Sequence, residues 1–360
     1  MCGITGAFNA IGKLSIEEHT LQSMSEMLIH RGPDEVAINI IEAKAGYAFR
    51  RLSIVDLAGG SQPFFNSSRT AFMICNGEIY NYRELRGELE AVGCRFRSAC
   101  DVEVIIHLYE QFGISFFEKL NGQFAIALFD LQKNSICLVR DHFGICPLFF
   151  TIIGDEIVFG SEIKAILQHP LVKREVNLTA LDQTLSFPGV ISPETFFKGI
   201  YSIQPGHYIT FDQDGVSDHT YWDVTYPKED ALIPTANEYE LLEELEALLL
   251  DSVRLRLNAD VPVGFYLSGG LDSSLIGSIA KKLGNDKQYP AFSIQFPATD
   301  TKDINEENHQ SVVREFLGCE HFQIPFTWND IEKNLRDAVW HSECALKETY
   351  NTCSLSLSEH

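Results

Sequence analysis

The spacing of apolar runs changes partway along this 360-residue chain, and the change limits the folds open to it. Up to about residue 212, short β-rich runs such as AFMIC, QFAIALFD, ICLVR and EIVFG follow one another closely. Helical patterns interrupt them at about residues 15–29, 82–92 and 102–112. From residue 237, runs such as VGFYL, AFSIQF and HFQI alternate with helical patterns. Closely spaced strands predict two packed sheets with flanking helices, whereas alternation with helices predicts a doubly wound parallel sheet.

We therefore predict two domains, residues 1–212 and 237–360, joined by a linker over residues 213–236. The linker prediction rests on YWDVTYPKEDALIPTA, which contains two prolines and mixed charge. At roughly 150 residues per domain, the length also favours two domains. The last residues, YNTCSLSLSEH, have the pattern of a further helix, and a parallel domain of this type should continue beyond them. We expect the chain to be C-terminally incomplete.

The charge of the chain argues against two classes of partner. It has 28 Lys and Arg against 50 Asp and Glu, a formal net charge of −22. Nucleic acid and anionic membranes need cationic surfaces, whereas a small phosphorylated ligand meets only local groups. The sequence contains no transmembrane run of 18 apolar residues and no basic N-terminal signal region. The cytoplasm is the expected compartment.

Cys2 differs from the other eight cysteines, which have no CxxC spacing and are expected to be mostly small buried side chains. Aminopeptidase removes Met1 when residue 2 is small, which would give Cys2 a free α-amino group. Because an α-amine titrates near ~7.7–8.0, it can serve as the base for the thiol of the same residue. A cysteine near a chain end is by itself more often a packing residue, so the surrounding motifs decide between the two interpretations.

Those motifs follow Cys2 in a distinctive order. CGITG is followed by HRGPD (30–34), RRLSIVD (50–56), NGEIYN (76–81), Asp101 and RDHFGICPL (140–148). Together they resemble the class II glutamine amidotransferases, and among these the glutamine-hydrolysing asparagine synthetases. The resemblance runs from Cys2 to about Glu343 and implies an Ntn-hydrolase αββα sandwich for the first domain.

The resemblance also implies roles for individual residues. Cys2 would attack the side-chain amide of glutamine, and its α-amine would pass the proton to the departing ammonia. The Asn76 side chain and the Gly77 N–H would form the oxyanion hole. The residues implied to bind glutamine are Arg51 (on the α-carboxylate), Asp101 and Glu78 (on the α-ammonium), Ile54, Val55, Asn76 and Gly77.

Other residues near these motifs receive a structural interpretation. RDHFG is compatible with a purely structural turn, and we expect no catalysis from His30 or His142. Arg50 is interpreted as a surface residue. Cys100 stands before Asp101 where serine is more usual in the family, which affects local hydrogen bonding but not the charge.

LSGGLDSS (267–274) lies between a predicted strand and a predicted helix. Backbone N–H groups at a helix N-terminus bind anions, and adjacent glycines let phosphate oxygens approach. The motif is not a Walker A sequence, because no GK[ST] follows. It resembles the pyrophosphate loop of ATP pyrophosphatases, which implies Mg-ATP as a substrate, with Asp272 helping to hold Mg²⁺. The residues implied to bind ATP are Leu267, Ser268, Gly269, Gly270, Leu271, Asp272, Ser273, Ser274 and Ile294.

Glu343 matches the family glutamate that assists the attack of ammonia on an activated acyl group. Glu348 is an alternative carboxylate for this role. A second SGEGSDE-like motif and a distal lysine, both usual in the family, do not occur in this sequence. A chain that truly ended at His360 would be expected to hydrolyse glutamine without efficient synthesis.

The implied function is an ATP-dependent amidoligase. Ammonia released at Cys2 would pass through the protein to an adenylated aspartate, giving asparagine, AMP and pyrophosphate. The alternatives are an amidotransferase acting on another carboxylate, as in natural-product tailoring, and a non-catalytic glutamine- or nucleotide-binding module. A β-lactam synthetase-like function is disfavoured, because those relatives need no Cys2 nucleophile. The expected partners are glutamine, ATP and aspartate or another carboxylate, in a homodimer without redox cofactor or structural metal.

Overall fold

A computed structural model describes residues 1–226, 237–284, 289–296, 307–346 and 350–358. The chain divides into two compact units, Met1–Thr225 and Tyr226–His360. None of the helices within the described ranges combines the length and the apolar character that a bilayer crossing requires.

The first unit contains two six-stranded antiparallel sheets. The first sheet has the strand order β10-β8-β9-β1-β3-β2. Its strands are β1 (Gly3–Asn9), β2 (Glu35–Ile41), β3 (Ala45–Arg51), β8 (Phe149–Ile153), β9 (Glu156–Gly160) and β10 (Tyr201–Ser202). The second sheet has the order β12-β11-β7-β6-β5-β4. Its strands are β4 (Phe64–Phe65), β5 (Ala71–Ile79), β6 (Gly122–Asp130), β7 (Ser135–Arg140), β11 (His207–Asp212) and β12 (Gly215–Thr220).

The two sheets pack face to face through buried aromatic side chains. Phe8 and Phe159 of the first sheet share one cluster with Phe72 and Phe129 of the second. The rings of Phe72 and Phe129 stack with their centroids 4.4 Å apart. Because successive side chains alternate between the faces of a strand, each sheet also has an apolar outer face that needs a cover.

Helices supply that cover on both outer faces. The first sheet packs against α1 (Glu18–Glu26) and α4 (Ile163–Ile166). The second packs against α2 (Tyr82–Ala91) and α3 (Val104–Phe112). A further helix, α5 (Leu178–Ser186), lies between β9 and β10 in the chain. The resulting αββα layers confirm the fold class predicted for the first domain.

The predicted linker must be corrected at its start. Residues 215–220 form β12, which pairs with β11 along its whole length. The hairpin turn is permitted by Gly215, which has a φ of +104°. Tyr221 also donates a hydrogen bond of 2.8 Å to the carbonyl of Arg140, so this part of the chain still belongs to the second sheet. Residues 227–236 of the predicted linker lie outside the described residues.

The second unit contains a parallel sheet with the order β13-β14-β15. Strands and helices alternate as the sequence predicts, which confirms the α/β class of the second domain. The elements are α6 (Glu238–Arg256), β13 (Phe265–Tyr266), α7 (Leu271–Leu283), β14 (Ala291–Gln295), α8 (Glu307–Leu317), β15 (His321–Pro325), α9 (Trp328–Ser342) and α10 (Tyr350–Ser358).

Of the eight cysteines other than Cys2, half are buried, which is fewer than expected. These four belong to or border the sheets of the first unit: Cys75, Cys100, Cys137 and Cys146. All nine carry free thiols.

Candidate functional site

Cys2 lies directly before β1, and its sulfur is held by the backbone that follows β3. The N–H of Leu52 points at Sγ from 3.4 Å, and Sγ lies 3.7 Å from the carbonyl oxygen of the same residue. The carbonyl of Cys2 accepts a 3.0 Å hydrogen bond from Nε of Arg31. Burial raises the pKa of the Cys2 thiol above its ordinary value, although Leu52 and Arg51 oppose that shift. With Met1 present, the α-nitrogen of Cys2 is part of a peptide bond.

The residues predicted for the glutaminase site come together in the first unit. Of the eight, all except Asn76 line one cavity. These seven are Cys2, Arg51, Ile54, Val55, Gly77, Glu78 and Asp101.

Asn76 is fully buried on β5, immediately before Gly77. Neither atom of its side-chain amide has a hydrogen-bond partner within the described residues. A buried amide left without partners costs about 1–3 kcal/mol, so such groups need an explanation such as a ligand. Asn76 does not itself line the cavity, but the next residue, Gly77, does.

Gly77 lies where two strands of the second sheet come very close. A Cβ added there would lie 2.1 Å from the carbonyl oxygen of Gln123 and 2.6 Å from Cα of Phe124. Its φ is +154°, which side chains also disfavour. Only glycine fits at this point, and a side chain here would force the main chain that lines the cavity to shift.

The lining of the cavity includes a buried guanidinium, that of Arg51, and a buried carboxyl group, that of Asp101. Arg51, at the end of β3, is 3% exposed, and its Nη1 lies 3.3 Å from a carboxylate oxygen of Glu35. Asp101 is 5% exposed and accepts a 2.8 Å hydrogen bond from the N–H of Ile79. Burial raises the pKa of Asp101, while backbone N–H groups act against that shift. A cavity with both charges suits a zwitterionic amino acid.

Several residues around Cys2 and its cavity had no predicted role. Leu52 and Arg31 lie inside motifs that the sequence singled out. Leu52 contacts Sγ through its backbone, and Arg31 donates to a backbone carbonyl. Neither contact can be predicted from the type of the residue. The cavity is also lined by residues that were assigned no role in binding: Met1, Leu52, Gly60, Gln62, Cys100, Val102 and Gln123.

Arg31 is itself held by a buried charge cluster. Its Nη1 donates to Glu162 at 2.9 Å, and His30 Nε2 lies 2.9 Å from the same oxygen. Lys164 pairs with the other oxygen of Glu162. Burial alone would raise the pKa of Glu162, but bonds from His30, Lys164 and Arg31 outweigh it and lower the pKa to about 2. His30 therefore belongs to a cluster that supports the main chain at Cys2.

RDHFG forms a structural turn, as one interpretation of the sequence proposed. The buried carboxylate of Asp141 accepts hydrogen bonds from the N–H groups of Phe143, Ile145 and Cys146. Arg140 donates to backbone carbonyls on both sides of the turn. The surface interpretation of Arg50 is wrong, because this residue is half-buried and its Nε donates to Ser25 Oγ at 2.9 Å.

In the second unit, LSGGLDSS connects β13 to α7 as predicted from its position. Gly269 has a φ of +90°, and Gly270 is the N-cap of α7. Ser268 Oγ accepts a 3.1 Å hydrogen bond from the N–H of Gly270 and lies 3.0 Å from Ser273 Oγ. Ser274 Oγ donates to the Gly270 carbonyl at 2.7 Å. The hydroxyls pre-order the loop, and this helix N-terminus fits a phosphate group.

The other residues predicted to bind ATP lie within the same motif and on β14. Leu267 is 1% exposed, and its N–H donates to the carbonyl of Phe292 at 2.8 Å. Leu271 and Asp272 begin α7 on its exposed side, where a carboxylate can reach a hydrated cation. Ile294 lies half-buried near the carboxyl end of β14.

Glu343 is the C-cap of α9 and has a φ of +53°. This left-handed conformation is unfavourable for a glutamate, and such outliers occur often at functional positions. The side chain is half-buried. Glu348, the alternative carboxylate, lies outside the described residues.

The match to family models agrees with this fold and site. Residues 1–222 match the model described as a glutamine amidotransferase domain, so the chain belongs to the glutamine amidotransferase family. Its C-terminal part, residues 244–360, matches the model described as asparagine synthase. The motifs that carried the sequence resemblance lie within these two ranges.

Individual relatives give the same result. The chain is 36% identical to asparagine synthetase [glutamine-hydrolyzing] 2 of Bacillus subtilis, over 86% of this chain and 44% of that protein. It is 32% identical to asparagine synthetase B of Escherichia coli, over 99% of this chain and 59% of that protein. It is also 32% identical to amidase chyE of Penicillium rubens, over 100% of this chain and 56% of that protein. The chain spans about half the length of these curated relatives.

Proposed function

We propose that the cavity of the first unit hydrolyses the side-chain amide of glutamine, with Cys2 as the nucleophile. The observation that carries the proposal is the meeting of a thiol, a buried guanidinium and a buried carboxylate in one cavity. Arg51 would bind the α-carboxylate, and Asp101 with Glu78 would bind the α-ammonium. Ile54 and Val55 would enclose the carbon chain between them.

The chemistry begins after removal of Met1, which frees the α-amine of Cys2. That amine takes the thiol proton as Sγ attacks the amide carbon, and it later gives a proton to the leaving ammonia. The oxyanion accepts hydrogen bonds from the otherwise unpartnered Asn76 amide and from the Gly77 N–H. The thioester that remains reacts with water, which releases glutamate and restores the thiol.

For the whole protein, we propose ATP-dependent formation of asparagine. ATP would activate the aspartate carboxyl as an adenylate, and ammonia from the first site would reach it through the protein and displace AMP. The pre-ordered SGGLDSS loop supports binding of the phosphates, with Asp272 near Mg²⁺, and Glu343 would take the proton that ammonia loses. We place this enzyme in the cytoplasm and propose a homodimer.

A second candidate function is the amidation of another carboxylate. It is favoured by two relatives that align with the full chain and are named amidases, chyE and chry2 of Gibberella zeae, at 32% and 30% identity. The glutamine site would be unchanged in this case, and only the acceptor would differ.

The test is ammonia release from glutamine by the purified protein and by Cys2→Ala. We expect the variant to lose release completely, while a matched control, Cys94→Ala, keeps it because Cys94 does not line the cavity. With ATP and Mg²⁺, detection of AMP and an amide with aspartate or other acids then distinguishes the two candidate functions. Full turnover by protein whose intact mass still includes Met1 would contradict the proposed base.

A further inference from the structure

Asp56 has an unusual backbone conformation in the segment between β3 and β4. Its φ is +53°, in the left-handed region that few residues other than glycine adopt, although Asp and Asn tolerate it best. A conformation of this kind costs free energy and persists where surrounding contacts require it. The main chain and the side chain of Asp56 contact two different segments of the protein.

The main chain of Asp56 contacts Arg51. Its carbonyl oxygen accepts a 2.5 Å hydrogen bond from Nη2 of Arg51, while the neighbouring Val55 carbonyl lies at 3.4 Å. These bonds hold a guanidinium that is 3% exposed and lines the cavity. The left-handed turn at Asp56 therefore directs a carbonyl at the cation of the site.

The side chain of Asp56 contacts a different segment, the one that leads to Asp101. Oδ2 accepts a 2.7 Å hydrogen bond from the N–H of Ala99, and Oδ1 accepts one of 3.0 Å from the N–H of Gly59. Ala99 lies two residues before Asp101, the buried carboxylate of the cavity. One residue thus joins the segment that holds Arg51 to the segment that carries Asp101.

The glycines that follow Asp56 are packed against the same groups. A Cβ at Gly59 would lie 2.6 Å from Oδ2 of Asp56. A Cβ at Gly60 would lie 2.5 Å from Nη2 of Arg51 and 3.1 Å from Sγ of Cys100. Both glycines permit the close approach on which the connection depends.

We propose that Asp56 is a positioning residue that sets the spacing between Arg51 and Asp101 and thereby selects substrates with an α-amino acid head group. The inference rests on the proposed function, because it takes Arg51 and Asp101 as the groups that bind the carboxylate and ammonium of glutamine. Those two charges are separated by one carbon atom, so the protein must hold their partners at a defined separation. Arg51 and Asp101 lie on two segments that are far apart in the chain, and a bond between these segments is needed to fix that separation.

The segment before Asp101 has other supports, so loss of Asp56 should not unfold it. Glu103 accepts hydrogen bonds from the N–H groups of Arg97 and Ser98 at 2.7 and 2.9 Å. Arg86 donates to the Ser98 carbonyl at 2.8 Å. What Asp56 adds is the bond between this segment and the one that holds Arg51.

The test compares Asp56→Gly and Asp56→Asn with the wild-type protein in steady-state ammonia release from glutamine. Asp56→Gly keeps the left-handed backbone and removes the side-chain bonds to Gly59 and Ala99, so KM should rise at least about tenfold while kcat stays within about threefold. Asp56→Asn also tolerates the backbone but keeps only one acceptor oxygen, so its KM should rise less. Asp155→Asn, at an exposed turn between β8 and β9, is the matched control and should change neither constant.

A second readout separates positioning from general damage. Alkylation of Cys2 by iodoacetamide, which has no amino-acid head group, should be unchanged in Asp56→Gly. Alkylation by a chloromethyl ketone analogue of glutamine should fall in proportion to kcat/KM, as followed by peptide mass spectrometry. An unchanged KM, or an equal fall with both reagents, overturns the positioning role while the proposed function stands. A wild-type protein that releases no ammonia from glutamine overturns both.

Discussion

Replacement of Gly77 by alanine tests whether the backbone at this position shapes both the sheet and the candidate oxyanion hole. The added Cβ would lie 2.1 Å from the Gln123 carbonyl oxygen and 2.6 Å from Cα of Phe124. Both atoms belong to the main chain of β6, which is paired along its length with β5 and cannot move aside as a side chain could. We expect a destabilisation of about 3 kcal/mol, at the upper end for overpacking.

For a unit of this size, that cost lowers the thermal midpoint by roughly 6–12 °C. The strand must also shift, so the Gly77 N–H leaves the oxyanion position and kcat for ammonia release should fall by about 10²–10³. The matched control is Gly87→Ala on the exposed face of α2, where an added Cβ meets nothing within 4 Å. That change should raise stability by about 0.5–1 kcal/mol. Circular dichroism melting and an ammonia assay measure both effects, and a Gly77→Ala protein with wild-type midpoint and kcat would refute the reasoning.

Two further substitutions test the surroundings of the cavity. The pKa of Glu162 is lowered to about 2 from an ordinary value of 4.5, so its ionised form should stabilise the protein by about 3 kcal/mol at pH 7. This contribution is lost as the pH falls through the folded-state pKa. Glu162→Gln should therefore reduce the free energy of unfolding in urea by that amount at pH 7 and by roughly half at pH 3, and a pH-independent difference would contradict the ion-pair explanation. Gly60→Ala should displace Arg51, whose Nη2 lies 2.5 Å from the added Cβ, and raise KM for glutamine about tenfold, or about 1.4 kcal/mol. An unchanged KM would mean that Arg51 does not bind the substrate.

The sequence pattern predicted a helix or strand well where the bounds of that element depend only on neighbouring residues. The predicted strand EIVFG is β9 without change, and the predicted helix over residues 82–92 differs from α2 by one residue. The prediction of a helix over residues 15–29 was too long, since α1 covers Glu18–Glu26. Ser15 instead bonds to the buried carboxylate of Glu156, 141 residues away, which no local pattern contains.

The same distinction applies to the candidate site. Side chains whose chemistry depends on residue type, such as Cys2, Arg51 and Asp101, could be identified from their motifs. The part played by Leu52 could not, because its contact with Sγ uses only backbone atoms, which every residue has. The two-sided contacts of Asp56 also needed the structure, since Ala99 lies 43 residues further along the chain.

The sequence by itself determined the two fold classes and the types of reactive side chain that the protein contains, because periodicity and residue type are local properties of the chain. Tertiary structure alone decided that seven motif residues share one cavity, that Asn76 has a buried amide with no partner among the described residues, and that Gly77 admits no side chain. These properties arise from the distances between segments that are far apart in the chain. Such distances follow only from how the two sheets and their helices pack.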